Sequence, residues 1–473
     1  MGTVNFDTIM HGLLFRLLIY GSVAILLAFM YKRIKTHFTG GSVISIGSHK
    51  INRGISGSGL KQSKTAKGFI FGNKGRKHVY LDNASEGHIA IFGGSGKGKT
   101  TALLIPSLKA WDSPFFTIDI SGDISKNVPE TKERIVISPA EPSKSVIYNV
   151  FFAVDSEEKY AEKLKKLEQL CNLIIDIPEK SNDTQRYFLG TARKIFLSCL
   201  IAFYDIGMDF TDICKTVFFN DVLTLNKMVE ATGNELAQGY IYPLTLENEK
   251  NIGGSKSTLN DKIKIFADNE NIQKICRRPR ALESGEYEQA FYPDLLENSQ
   301  VFLKVPDEEQ EYYQIFLHIV TGQILEYISG RKYDRKKDKR ILIALDEFAS
   351  LGYFEILAPF RKFRKNGANI CILTQSLADI DLIYSEGERK VIMDNSQYIV
   401  VLSANDNGTR EYFSNLVGKE EKERVTKNSS GGKSVSKEND FAIKPEEWRT
   451  YKKHLILIHP AGYVKLLKNY YFK

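Results

Sequence analysis

The octet Gly93-Gly94-Ser95-Gly96-Lys97-Gly98-Lys99-Thr100 directly follows the apolar run His88-Ile89-Ala90-Ile91-Phe92, and it constrains the fold more than any other feature of the chain. A buried strand that feeds a glycine-rich turn and then opens a helix aims several backbone N–H groups and a helix N-terminus at one point, where phosphates can sit. Such a turn requires backbone angles that glycine adopts cheaply, expected here at Gly93, Gly96 and Gly98. Lys99 then reaches the β- and γ-phosphates and Thr100 ligates Mg²⁺, so ATP with Mg²⁺ is the expected ligand and Gly93 through Thr101 the expected binding set.

Two later segments supply what a phosphate loop alone lacks. Ile341-Leu342-Ile343-Ala344-Leu345 reads as a buried strand ending on Asp346 and Glu347. In phosphate-loop proteins the first acid at such a strand end holds the Mg²⁺ shell, and a following glutamate can act as the base that activates water. Asn369-Ile370-Cys371-Ile372-Leu373-Thr374 is a second buried-strand pattern, ending on Gln375, whose amide can hydrogen-bond both the γ-phosphate and the attacking water. The order of these segments predicts an α/β RecA-like ATPase domain in which the glutamate and glutamine strands are neighbours.

Several runs in a fixed order resemble the type IV secretion coupling proteins of the TraG/TraD kind. They are Ser95 through Thr101 with Leu104-Ile105-Pro106-Ser107-Leu108 and Trp111, then Ile118-Asp119-Ile120-Ser121-Gly122-Asp123, Val136-Ile137-Ser138-Pro139, Val301-Phe302-Leu303-Lys304-Val305-Pro306, Leu345-Asp346-Glu347-Phe348, and Gly367 through Ser376. The similarity extends over roughly residues 66–470. It implies a membrane-anchored ATPase, assembled as a homo-oligomeric, hexameric ring, that brings DNA or a relaxase–DNA complex to the proteins of a secretion channel, single-stranded DNA being favoured. It also implies that Arg364, in Arg361-Lys362-Phe363-Arg364-Lys365, acts across a subunit boundary as an arginine finger, with Arg361 the competing candidate. Where relatives carry an Asp, Lys, Gly, Glu series, this chain has Asp119, Ser121, Gly122 and Asp123, which leaves their roles open. The competing functions are a duplex-DNA translocase of the FtsK type and a docking receptor that recruits protein effectors to a secretion channel.

A stretch from about Leu13 to Tyr31 approaches the ~20 apolar residues needed to cross a bilayer. Lys32, Arg33 and Lys35 follow it, and Asp7 is the only charged side chain before Arg16, so the N-terminus is expected outside and residues 32–473 in the cytoplasm. Together with the resemblance to secretion coupling proteins, that orientation implies a single-pass protein of a bacterial inner membrane. The formal charge of +8 gathers in Lys61 to Lys77, Arg277-Arg278-Pro279-Arg280, Arg331 to Arg340 and Arg361 to Lys365, clusters that suit a phosphate backbone or anionic lipid. Five widely spaced cysteines show no paired-ligand pattern, so neither a zinc site nor a disulfide framework is implied.

The expected organisation is an N-terminal segment at 1–31, a juxtamembrane linker at 32–65, and a nucleotide-binding domain built from 66–154 and 286–473. Helical periodicity from Tyr160 to Ile174 and the apolar segment Tyr187 to Tyr204 point to an all-α insertion at 155–285. Residues 419–440, with their Ser-Gly-Gly core, are expected to form a surface loop.

Overall fold

The computed structural model describes residues 51–130, 133–178, 181–427 and 433–472. The expected membrane span at 13–31 and the linker as far as residue 50 lie outside the described residues.

Strands buried along their whole length build the centre of the protein. The strands are β1 (Lys61–Ser63), β2 (Gly68–Lys74), β3 (Lys77–Asp82), β4 (Ile89–Phe92), β5 (Phe115–Asp119), β6 (Arg134–Ile137), β7 (Ile147–Tyr148), β8 (Ala290–Phe291), β9 (Gln300–Lys304), β10 (Ile341–Leu345), β11 (Ala368–Thr374), β12 (Tyr398–Val401), β13 (Lys419–Lys427), β14 (Lys433–Phe441), β15 (His454–His459) and β16 (Gly462–Leu467). Among the described residues twelve of them form one sheet, in the order β1-β3-β2-β16-β15-β12-β4-β11-β10-β5-β9-β6. From β12 to β6 neighbouring strands are parallel, whereas β15 returns antiparallel to β12 and leads to an antiparallel flank.

The parallel strands read as continuous apolar runs because both faces are covered. On one face Ala90, Phe92, Ile343, Leu345, Ile370 and Ile372 pack in the larger core; on the other Ile89, Ile91, Leu342, Ala344, Cys371 and Leu373 meet Leu103, Leu104, Ile105 and Leu108 of the helix after the phosphate loop. That helix opens as a π turn, Thr100–Leu104, and continues as the α-helix Ile105–Ala110; Pro106 lies within it and supplies no N–H to the preceding turn.

Between β7 and β8 the chain is mainly helical. Asp183–Asp205 is the longest helix there, opened by an Asn182–Gln185 capping box. It is long and apolar enough to cross a membrane, yet Ile195, Phe196, Cys199, Leu200 and Phe203 are buried against neighbouring helices, so its apolar surface is accounted for by the core. In the basic cluster at 277–280, Arg277 and Arg278 are half-buried and paired with acids, and Arg280 is exposed. Arg277 forks onto Glu288, and Arg278 pairs with Asp155 and Asp209, at 3.0 and 3.4 Å for the closest contacts. Arg331 likewise pairs with Glu297 at 2.6 Å, and Arg340 is only 3% exposed. Acidic partners engage Arg277, Arg278 and Arg331, while Arg280, Lys332, Arg335, Lys336 and Lys337 are exposed.

The span 419–440, expected to be a surface loop, instead carries β13 and β14, which pair as a two-stranded sheet. Residues 420–440 fall outside the compact unit made of 51–419 and 441–473.

Candidate nucleotide site

Parallel pairing aligns the ends of three strands. Phe92 at the end of β4 is in register with Thr374 of β11, and Leu345 at the end of β10 with Ile372. The residues that follow, Gly93, Gln375 and Asp346, therefore emerge at one edge of the sheet, and the Gly93 N–H donates to the Thr374 carbonyl at 3.2 Å. The β11 strand, which Gln375 follows, lies between the loop strand and the acidic strand.

Gly96 and Gly98 have φ of +69° and +94°, the left-handed region expected of them. Gly93 does not share it. Its small size is required for another reason, since a Cβ there would stand 3.1 Å from Leu402 Cβ. Lys97 N donates to Gly94 O and Ala102 N to Gly98 O, which closes the loop onto the helix.

Lys99 is only 5% exposed; its Nζ donates to Gly93 O at 3.1 Å and lies 3.3 Å from Glu347 Oε1. The Thr100 hydroxyl donates to Asp346 Oδ2 at 2.7 Å, across 246 residues of sequence. Burial pushes the Asp346 carboxyl up to about 6, against the hydrogen bond from Thr100 and the charge of Lys99. A buried carboxylate beside a hydroxyl fits Mg²⁺, which keeps most of its octahedral shell as water and phosphate oxygen and takes few protein ligands. The same hydroxyl can exchange its bond to Asp346 for the metal. Among the described residues no cluster of three or more His, Cys, Asp or Glu side chains offers a denser metal site.

Glu347 is the single described non-glycine residue with positive φ, at φ 46° and ψ 46°. The chain turns there from β10 into the short helix Phe348–Leu351, and the turn sends the Asp346 and Glu347 side chains to different partners, Thr100 and Lys99. Non-glycine residues rarely hold this conformation without a functional constraint. Gln375 is exposed at the same edge.

Arg364 lies elsewhere. Its carbonyl accepts from Arg340 Nη2 at 3.0 Å, immediately before β10 begins, so it stands at the opposite edge of the sheet from its own phosphate loop. The seven residues of β11 separate the two edges by about 20 Å. Arg361 is exposed beside it.

Asp119, whose role the sequence left open, accepts from the N–H groups of Ile124 and Ser125 at 3.2 and 2.8 Å, and Gly122 turns left-handed before them. It caps the helix Asp123–Asn127, which explains why a buried carboxylate is tolerated at the end of β5. Asp123 opens that helix, where a negative charge suits the dipole.

Sequence reasoning missed one neighbour of the loop. Lys468 Nζ donates to Lys97 O at 2.8 Å and Tyr471 N to Thr101 O at 3.1 Å. Burial and the charge of Lys97 pull the Lys468 ammonium down to about 8. No local pattern marks this contact; the aromatic run Tyr470-Tyr471-Phe472 is its only trace in the sequence.

A parallel sheet with a phosphate loop at the end of one strand, an acidic pair two strands away and an amide between them defines a P-loop nucleotide-binding fold of the RecA-like kind. Within that class the chain belongs to the type IV secretion-system coupling proteins: the model of that family's DNA-binding domain matches residues 79–466. Relatives include the coupling protein VirD4 of Bartonella quintana (strain Toulouse), 20% identical over 366 residues, covering 74% of this chain and 56% of the relative. Another is the conjugal transfer protein TraG of Rhizobium radiobacter, 25% identical over 383 residues, covering 74% and 55%. The chain thus spans about half the length of the curated relatives it matches. Among solved structures, the unbound bacterial conjugative coupling protein TrwBdeltaN70 superposes with a TM-score of 0.68 at 16% identity, covering 86% of this chain and 88% of that one. TrwB in complex with ADP and Mg²⁺ superposes with a TM-score of 0.63 at 16% identity, covering 80% and 85%. These likenesses carry the fold: a mixed α/β RecA-like domain with a helical domain.

Proposed function

We propose that this chain is an ATPase that couples a conjugative DNA or relaxase–DNA substrate to a type IV secretion channel and moves single-stranded DNA by ATP hydrolysis. The observation that carries the reading is the convergence of Lys99, Thr100, Asp346 and Glu347 from segments far apart in sequence, with contacts of 2.7 and 3.3 Å. Family membership supports the cargo, and the ligands of the TrwB complexes support ATP and Mg²⁺.

In this mechanism the loop N–H groups and Lys99 hold the triphosphate, and Thr100 and Asp346 hold Mg²⁺. Glu347 takes a proton from the attacking water, and Gln375 hydrogen-bonds that water and the γ-phosphate. Lys99 neutralises charge on the phosphates while drawing Glu347 toward them. Arg364 stands too far from its own loop to serve it, which supports a role on the nucleotide of the next subunit in a hexameric ring. Hydrolysis then requires assembly. Residues 66–154 and 286–473 form the motor domain, residues 155–285 the helical domain that meets the substrate, and the segment at 13–31 the anchor in the bacterial inner membrane, with the bulk of the chain cytoplasmic.

The test is the ATPase rate of the purified full chain against its own concentration, with and without single-stranded DNA. A specific activity that rises with concentration and with single-stranded DNA is expected. Turnover indifferent to DNA, with capture of effector proteins alone, would instead favour a docking receptor, and stimulation by duplex only would favour a duplex translocase.

A further inference from the structure

The segment after β16 runs along the outer side of the phosphate loop. Lys468 is anchored on Lys97 O at 2.8 Å and Tyr471 on Thr101 O at 3.1 Å. Between these anchors the Tyr470 ring lies over Gly98: a Cβ on that glycine would stand 3.1 Å from Tyr470 Cε1 and 3.5 Å from its hydroxyl oxygen. Phe472 packs beside Tyr470 with ring centroids 5.3 Å apart and is 61% exposed. Lys109 lies 5.2 Å from the centroid of the Tyr471 ring, a second tie to the helix that follows the loop.

The sheet order indicates what this segment faces. Lys99, Thr100, Asp346 and Glu347 draw the metal and the γ-phosphate toward the β10 and β11 side of β4. The nucleoside is attached to the other end of the triphosphate and leaves the loop away from those strands. The β16 strand lies on that opposite flank, beyond β12 and β15, and the segment after it brings Tyr470 to Gly98 and Tyr471 to Thr101. Nucleobases present a flat π face, and stacking on a side-chain ring is favourable for any of them.

We propose that Tyr470, backed by Phe472, is the platform on which the nucleotide's base stacks, and that Lys468 and the Tyr471 N–H hold this platform in register with the phosphate loop. The proposal rests on the nucleotide site described above. Stacking reads the face of the base and not its edge, so the platform favours a nucleoside triphosphate over bare phosphates and discriminates weakly among bases.

The experiment compares binding of ATP and of inorganic tripolyphosphate, each with Mg²⁺, to the full chain, because tripolyphosphate keeps the phosphates and lacks the base. Tyr470→Ala is expected to weaken ATP by about tenfold or more while leaving tripolyphosphate within about twofold, and Tyr470→Phe is expected to retain both. An equal loss for both ligands would reduce the segment to a brace for the loop, and no loss for either would remove Tyr470 from the site; each result overturns the proposal. Tyr470→Trp gives a second readout, an indole emission expected to respond to ATP and not to tripolyphosphate; an identical response to both also overturns it. A wild-type chain that bound neither ligand would refute the nucleotide site itself and the platform with it, a result distinct from selective loss of base recognition.

Discussion

The left-handed backbone at Glu347 can be weighed against its carboxylate by comparing Glu347→Ala with Glu347→Gly. Both variants remove the carboxylate and the 3.3 Å contact with Lys99, so those losses cancel in the comparison. What differs is the backbone at φ 46°. A Cβ in this region costs about 1–2 kcal/mol, glycine's extra freedom elsewhere returns about 0.5–1 kcal/mol, and the balance leaves glycine ahead by about 0.5–1 kcal/mol, the reverse of its usual rank. Urea unfolding without nucleotide, followed by the emission of the buried Trp111 and Trp448, measures this as a higher midpoint for Glu347→Gly at an unchanged slope. Both variants are expected to lose about 10²- to 10⁴-fold in hydrolysis, the usual worth of a general base. An alanine variant as stable as the glycine variant would refute backbone strain at this turn. Substantial turnover in either would refute the role of the carboxylate.

His88, fully buried at the entry to β4, accepts from Ile370 N at 2.9 Å, and burial, with Arg364 and Arg340 adding to it, holds its imidazole down to about 3. The unfolded chain protonates near 6.5, so the stability tied to neutral His88 is complete above that pH and is lost as pH falls toward 3, by up to about 1.4 kcal/mol per pH unit. His88→Gln is expected to lose one proton's worth of that slope in urea titrations between pH 6.5 and 4; an unchanged slope would contradict the assignment. Arg364→Gln and Lys99→Ala are each expected to be inactive alone. A 1:1 mixture is expected to regain hydrolysis at about a quarter of its sites, those pairing an intact loop with a neighbour's intact arginine, while a mixture as inactive as its parts would exclude action between subunits.

The convergence of the candidate site's residues was legible because they sit in short local runs. A phosphate loop must carry glycines and Lys99 in sequence, and Asp346 and Gln375 mark strand ends that need only parallel pairing to meet. The glycines show where that reading was too simple: Gly96 and Gly98 need left-handed angles, but Gly93 answers to the approach of Leu402, a contact from a strand more than three hundred residues away. The basic cluster at Arg277 and Arg278 was open to misreading for a similar reason, because the partners of Arg278, Asp155 and Asp209, lie too far along the chain for a local charge count to pair them. The charged sequences of β13 and β14 carry no apolar stripe, and so hid a pair of strands inside a polar segment. Lys468 reaches the loop across 371 residues, with no motif to announce it.

The central claim is that breakdown of one magnesium-bound triphosphate, held by these converging strand ends, drives cargo transfer. Glu347→Gln tests it most directly when ATP binding, hydrolysis and DNA transfer are measured for the same chain in donor cells that depend on it. The expected result is retained binding with hydrolysis and transfer both lost. Transfer that persisted at its normal frequency without hydrolysis would contradict the claim.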